Sequence, residues 1–236
     1  SGVMCLTFFS ACAAEELYLP LGKDANMGYE DRIAGDGIGG WMDEGLESDG
    51  SEFDFSRAEF AGIPFRLIDP KQNRGKSVLL FQSKFFTGGI KEYRFPVPKN
   101  NRFRFLYLLH TATHNYQPEK PIGNVEMAFS DGSAAQLPIR SNQEVGNWWI
   151  WGKYANAVPG QTWPVALSRH VGVVYVSKFP VPAGKTLREV KFKTGNQETK
   201  WLILGSMLTE KEYTPEAKRT VIQANERWKV LPQTNK

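Results

Sequence analysis

The groups able to do chemistry in this 236-residue chain are few: three histidines, two cysteines and 25 acidic side chains. Cysteine chemistry is confined to one place. Cys5 and Cys12 both fall in the apolar stretch 3–14, so the body that follows has no thiol nucleophile, thiolate metal site or internal disulfide. His110 ends an apolar run and His170 opens one, as strand-end residues do, and His114 follows four residues after His110 without the Glu of an HExxH helix. There is no Gly-x-Ser-x-Gly elbow and no phosphate-cradling glycine loop before a helix. Glycoside hydrolysis needs only two carboxylates, and 13 acids lie in the first 60 residues, yet nothing singles out an acid and a base among them. Their setting, Asp31-Arg-Ile-Ala-Gly-Asp36-Gly-Ile-Gly-Gly-Trp41-Met-Asp43, supplies carboxylates and accessible carbonyls, the hard oxygens that calcium takes. Asp36 and Asp43 are the candidate ligands for a structural calcium; the spacing is not that of an EF-hand, and plain turns are the competing reading. No other cofactor is expected.

Aromatic chemistry is the stronger signal. Four of the seven tryptophans, Trp148, Trp149, Trp151 and Trp163, fall within residues 140–169, beside Glu144, Asn147, Lys153, Tyr154 and Asn156. Sugars present apolar C–H faces edged by hydroxyls, and this mixture of flat rings, amides and charges suits them. His114, Asn115 and Tyr116 offer a second polar and aromatic loop for the same end of the domain. The alternative is that the tryptophans plug the end of the core, and of the neighbours Trp148 and Trp149 only one can face inward on a strand.

These loops need a scaffold, and the sequence reads as an all-β one. Runs at 64–69, 76–83, 91–97, 102–110, 124–130, 134–139, 170–179, 187–194 and 200–208 lie between Gly, Pro and Asn/Asp punctuation. Arg102-Phe-Arg-Phe105 and Val190-Lys-Phe-Lys193 alternate with the period of a half-buried strand. Asp131-Gly132 is the chemistry of a tight hairpin. Strands without intervening helices predict a β-sandwich of jelly-roll type. Thr214-Pro215-Glu216 reads as a helix start, with Ala217, Val221, Ala224 and Trp228 on one face.

Domain boundaries follow: 1–14 the remnant of an export signal, 15–208 the β-sandwich, and 209–236 a helix or linker. Residues 3–14 end in small residues, as signal-peptide cores do. Ala11-Cys12-Ala13 suits ordinary cleavage, and Phe9-Ser-Ala-Cys12 is similar to a lipobox, which would anchor the protein through Cys12. The chain is therefore expected to be exported, to the periplasm, the exterior or the outer membrane, beginning inside its signal. An apolar N-terminal strand is the alternative. The net charge of +4 averages 13 acidic and 3 basic residues in the first 60 against 12 and 26 in the remainder. The basic residues are scattered along alternating strands, which argues for solvated faces and against a nucleic-acid partner.

The order of several motifs resembles the galactose-binding-like jelly-roll domains that accompany bacterial glycoside hydrolases. It runs through Gly35-Asp36-Gly37-x-Gly39-Gly40-Trp41-x-Asp43-x-Gly45, Phe60-Ala-Gly-Ile-Pro-Phe65, Ile68-Asp-Pro70, Gly75-Lys-Ser77, Leu108-Leu-His-Thr-Ala112, Asp131-Gly-Ser133 and Val145-Gly-Asn-Trp-Trp149, spanning about residues 28–208. Asn147 stands where the family often has an acid, Leu46 where it has Pro, and His114-Asn115-Tyr116 is an addition. The resemblance implies a non-catalytic carbohydrate-binding or accessory domain, with a polysaccharide as ligand and a catalytic domain as possible partner. A hydrolase or lyase using the acidic loop, and a protein-interaction or structural module, are the alternatives.

Overall fold

A strand whose alternate residues are both apolar must be covered on both faces, and two strands of this chain have that character. In the computed structural model, which describes residues 16–113, 120–149, 152–165, 170–195 and 198–218, β6 (Phe105–Ala112) and β12 (Trp201–Thr209) are buried at every position. They are neighbours at the centre of a six-stranded antiparallel sheet. Its path is β1 (Glu16–Tyr18), β12, β6, β10 (Val171–Pro180) and β9 (Ala157–Pro164), with β4 (Leu79–Leu80) also paired to β12. A four-stranded antiparallel sheet runs β5 (Glu92–Pro96), β11 (Leu187–Thr194), β7 (Pro121–Phe129) and β8 (Ala134–Arg140). β2 (Glu59–Phe60) and β3 (Ile63–Pro64) form a small hairpin.

The two large sheets close on one core, a β-sandwich-like arrangement. Leu106, Leu108 and Ile203 of the six-stranded sheet meet Val125, Met127, Val190 and Phe192 of the four-stranded one. The other face of the six-stranded sheet carries a second core. Tyr107, Leu109, Leu202 and Met207 pack there against Met27, Tyr29, Trp41, Phe53, Phe60 and Phe65. The acidic, glycine-rich first quarter is thus a third layer of irregular chain. It is tied on by the Met27 to Val78 bridge and by the Asn26 side chain, which bonds Leu80 N and O of β4, and it is closed on itself by the Gly28 to Gly40 bridge. The four-stranded sheet leaves its far face to water, where Lys191 pairs with Glu126 and Arg94 with Glu92.

The expected runs from 91 onward each hold a long strand, whereas those at 64–69 and 76–83 hold only the two-residue β3 and β4. The hairpin at Asp131-Gly132 forms as its chemistry requires: Gly132 has φ 85° and the Asp131 carboxylate accepts the Ser133 amide at 3.0 Å. Two expectations are corrected. The stretch 140–169 is not all loop, because β9 occupies Ala157–Pro164; Pro159, Gly160 and Pro164 disguise it, and Pro is tolerated there because β9 is an edge strand. Thr214, Pro215 and Glu216 start no helix: residues 212–218 have no regular secondary structure and run back over the third layer, where the Glu216 amide donates to Ala61 O at 2.9 Å. The rest of the expected helix with Trp228, and the segment 1–14 with both cysteines, lie outside the described residues. No helix among the described residues is long and apolar enough to cross a membrane.

Candidate functional site

The aromatic stretch begins by wedging itself into the sandwich. Asn147 bridges Ala112 in parallel, the Trp148 amide donates to Ala112 O at 2.9 Å, and Val173 N donates to Trp148 O at 2.8 Å, so the backbone here joins β6 and β10. That wedge turns the Trp148 ring inward, where it is fully buried, 5.7 Å from Trp41 edge to face and 6.2 Å from Trp163. Trp163, on β9, is buried in turn against Trp41 and Phe53. Both rings are core, and neither presents a face to a sugar. Burying large rings together is where their area stabilises the fold most. Trp149 is half-buried at the margin of the same core, edge to face with Trp148 at 5.0 Å and stacked on His170 at 4.3 Å. Its amide is held by Asn147 Oδ1 at 2.9 Å. Tyr154 lies half-buried against Tyr175. Trp151, His114, Asn115 and Tyr116 lie outside the described residues.

Glu144 is committed to its own loop. Its carboxylate accepts from Arg140 Nε at 3.0 Å, Arg140 Nη2 at 2.8 Å, the Arg140 amide at 3.0 Å and Asn156 Nδ2 at 3.1 Å. Burial works to raise its carboxyl, but the Arg140 and Asn156 bonds together hold it below the ordinary value. Such a carboxylate fixes the turn and has no lone pair to spare for a ligand.

His110 makes a serine-histidine pair that has no catalytic use. Its Nδ1 accepts the Trp201 indole N–H at 3.0 Å, so the proton of the neutral ring sits on Nε2 and is donated to Ser177 Oγ at 2.8 Å. Ser177 passes the relay on to Glu144 O at 2.6 Å. A nucleophilic serine must donate to the histidine, and here the direction is reversed. The ring is fully buried, which depresses its pKa to about 3.

A cleft of about 510 Å³ lies elsewhere, between residues of the segment 28–55 and residues of the turn 70–76. One wall is Gly28, Tyr29, Glu30, Gly39, Ser51 and Phe55; the other is residues 70–71 and 74–76. The second wall is a rigid turn. Asp69 caps it through the Lys71 amide at 2.9 Å, the Gly75 amide donates to Pro70 O at 2.8 Å, and Asn73 Nδ2 donates to Gly22 O at 2.7 Å. Arg74 and Gly75 are both left-handed there, with φ 54° and 77°. The walls meet at Gly28, where a Cβ would stand 2.3 Å from Gly75 O, so only glycine fits. Phe55 is half-buried and stacks on Tyr29 at 5.4 Å and 9°. Lys71, Arg74 and Lys76 carry three positive charges into the lining against the single carboxylate of Glu30, and none of the three has an ion pair among the described residues.

Beside this cleft, the acidic loop folds Asp31 and Asp36 onto Asp43, with one carboxylate oxygen of each inside a 4.8 Å cluster. Asp36 and Asp43 were legible as ligand candidates; Asp31 was not singled out, although it opens the same loop. The cleft itself was missed because its walls are far apart in sequence, although Gly75-Lys76 belongs to the motif series. No protein-family model matches the chain, and no curated protein matches it.

Proposed function

We propose that this chain is an exported, non-catalytic jelly-roll domain that binds polysaccharide, with a preference for acidic glycans, and that it serves beside a glycan-degrading enzyme. The strand order supports the jelly roll. In the orders β4-β12-β6-β10 and β5-β11-β7-β8 the chain crosses between the sheets from β4 to β5, β5 to β6, β6 to β7, β10 to β11 and β11 to β12, while β7 and β8 stay together as a hairpin, the pattern of a jelly roll to which β9 is added at one edge. The motif series Gly35 to Trp149 supports the family, and the small-residue end of residues 3–14 supports export, with Cys12 as the residue a lipid anchor would use.

The observation that carries the binding reading is the cleft lined by Phe55, Lys71, Arg74 and Lys76. A ring edged by cationic donors matches a sugar that offers an apolar face and a carboxylate or sulfate. Among the described residues Glu30 is the single carboxylate in that lining, which supports binding without turnover, since glycosidases pair an acid with a second carboxylate. Trp149 on His170 is a separate half-buried aromatic surface and serves as the comparison site.

Affinity electrophoresis of the 236-residue chain through gels carrying uronate-containing, sulfated and neutral polysaccharides tests this. Retardation is expected in the acidic gels and should weaken as salt is added. Phe55→Ala and Arg74→Glu should each abolish it, and Trp149→Ala should leave it in place. No retardation in any gel, or retardation lost only in Trp149→Ala, would overturn the assignment of the cleft. Shortened polymer after incubation would favour the hydrolase or lyase reading.

A further inference from the structure

The acidic loop holds negative charge in a way that a free loop has no reason to. Asp31 is buried at 1% exposure and Asp43 at 4%, and with Asp36 they aim carboxylate oxygens into one space less than 4.8 Å across. Part of each carboxylate is satisfied by backbone. Asp31 Oδ2 accepts the Gly45 amide at 2.6 Å, Asp43 the Gly37 amide at 3.2 Å, and Asp36 the Ile38 amide at 2.7 Å. Asp31 Oδ1, in contrast, is buried and accepts no hydrogen bond of ordinary geometry, the Ile33 amide acting on the carboxylate only weakly. No Lys or Arg forms an ion pair with any of the three among the described residues. The buried cation nearest in sequence contact, Lys200, is spent on Met42 O at 2.6 Å and Glu44 at 3.2 Å. Three like charges at this separation repel by several kcal/mol unless something positive sits between them, and a buried unpaired carboxylate oxygen costs about as much as a lost charged hydrogen bond. Burial raises the Asp31 carboxyl above its ordinary value; the Gly45 amide and, more weakly, the Ile33 amide oppose this, and the charges of Asp43 and Asp36 add to it.

We infer that Asp31, Asp36 and Asp43 form a calcium site whose buried anchor is Asp31 Oδ1. The donor set selects the metal. Three carboxylates without His or Cys are hard ligands, suited to calcium over zinc or copper, and the open side at exposed Asp36 leaves room for the waters that complete a coordination of six to eight. The site lies in the turn that sends Trp41 into the core: Trp41 and Asp43 are both left-handed, with φ 51° and 58°, and Trp41 is fully buried between Trp148 and Trp163. A bound cation therefore fastens the third layer at a turn where two non-glycine residues hold left-handed backbone.

The test uses the full chain stripped with EDTA. Calcium should raise its melting temperature saturably, with a dissociation constant of about 0.1–1 mM, the range of exported calcium modules. Terbium should bind in the same place with tryptophan-sensitised emission that calcium displaces. Asp36→Asn, exposed and bonded only to its own turn, removes one ligand without disturbing the core, and Asp31→Asn removes the anchor. Without calcium both variants should melt at or above the wild type, because repulsion is relieved. With calcium they should melt below it, with affinity reduced at least tenfold. This crossing is a result that a merely structural role for the aspartates does not give. A wild-type chain that shows no saturable response to calcium or terbium up to 10 mM, on the order of ten times the weakest affinity expected, overturns the inference. So does equal binding by the wild type and both variants.

Discussion

At the scale of single residues, His110 is the group whose chemistry is most tightly defined. Its folded-state pKa of about 3 lies well below the ordinary 6.5 because burial disfavours the imidazolium. The unfolded chain therefore binds a proton below pH 6.5 that the folded chain refuses. The stabilising contribution is complete above pH 6.5 and is lost progressively as pH falls from there toward 3. By pH 5 the loss amounts to about 2 kcal/mol. Urea denaturation at pH 8 and pH 5 should register that difference in the wild type. His110→Gln should be less stable at pH 8 by about 1–3 kcal/mol, since Trp201 Nε1 or Ser177 loses its partner. Its further loss on acidification should be smaller, so parallel curves for the two proteins would show that another group carries the slope. That the histidine belongs to an apolar strand was legible from its neighbours Leu108 and Leu109, but the expectation that it ends the strand is corrected: β6 runs on through Thr111 and Ala112, and His110 lies inside it, fully buried. Its partners Trp201 and Ser177 were not legible, because they come from strands 91 and 67 residues away.

At the scale of elements, what could be read in advance tracks how much of an element's pattern is local. β11 alternates Val190-Lys191-Phe192-Lys193 and was visible at once, because one face is wet. β6 and β12 were visible as apolar runs, but their burial on both faces was not, since the layer that covers them has no periodicity. β9 was invisible, its Pro and Gly reading as turn residues, and with it went the true role of Trp163. That ring is seated over Gly172 of the paired strand β10, where a Cβ would fall 2.3 Å from the indole. Gly172→Ala should therefore unseat Trp163 and cost about 1–3 kcal/mol, the usual penalty for overpacking a filled core. A fall in melting temperature with a change in near-ultraviolet circular dichroism checks it; an unchanged aromatic signal would mean the ring is not held there. The segment after β12 makes a second case. Tyr107 Oη accepts the Tyr213 amide at 2.8 Å and donates to Tyr213 O at 2.9 Å, pinning this segment across β6. Tyr107→Phe deletes both bonds, and limited proteolysis should then cut between 209 and 218 several times faster than in the wild type.

At the scale of the whole molecule, the charge split in the sequence acquires a spatial meaning. The acidic first quarter is one layer, and it faces the cationic turn 70–76 across the cleft; three of its acids, beside the cleft, make the proposed calcium site. One strip of backbone serves both. Gly39 lines the cleft, its carbonyl accepts the Gly28 amide at 3.2 Å, and a Cβ on it would lie 2.8 Å from Asp31 Oδ1. Filling the cation site thus fixes the wall against which a glycan would rest. Binding at the two places is then coupled, and by linkage the factor by which calcium tightens glycan binding must equal the factor by which glycan tightens calcium binding. We expect that factor to be about fivefold or more, the lower end of ordinary couplings. Affinity electrophoresis in an acidic gel with saturating calcium and then with EDTA measures one side of the cycle, and calcium titration with and without soluble glycan measures the other. In Asp36→Asn the two electrophoresis conditions should give the same retardation. If EDTA leaves the wild type equally retarded, the wall holds its shape without the ion. The cleft and the cation site would then be independent features that share a strand of chain.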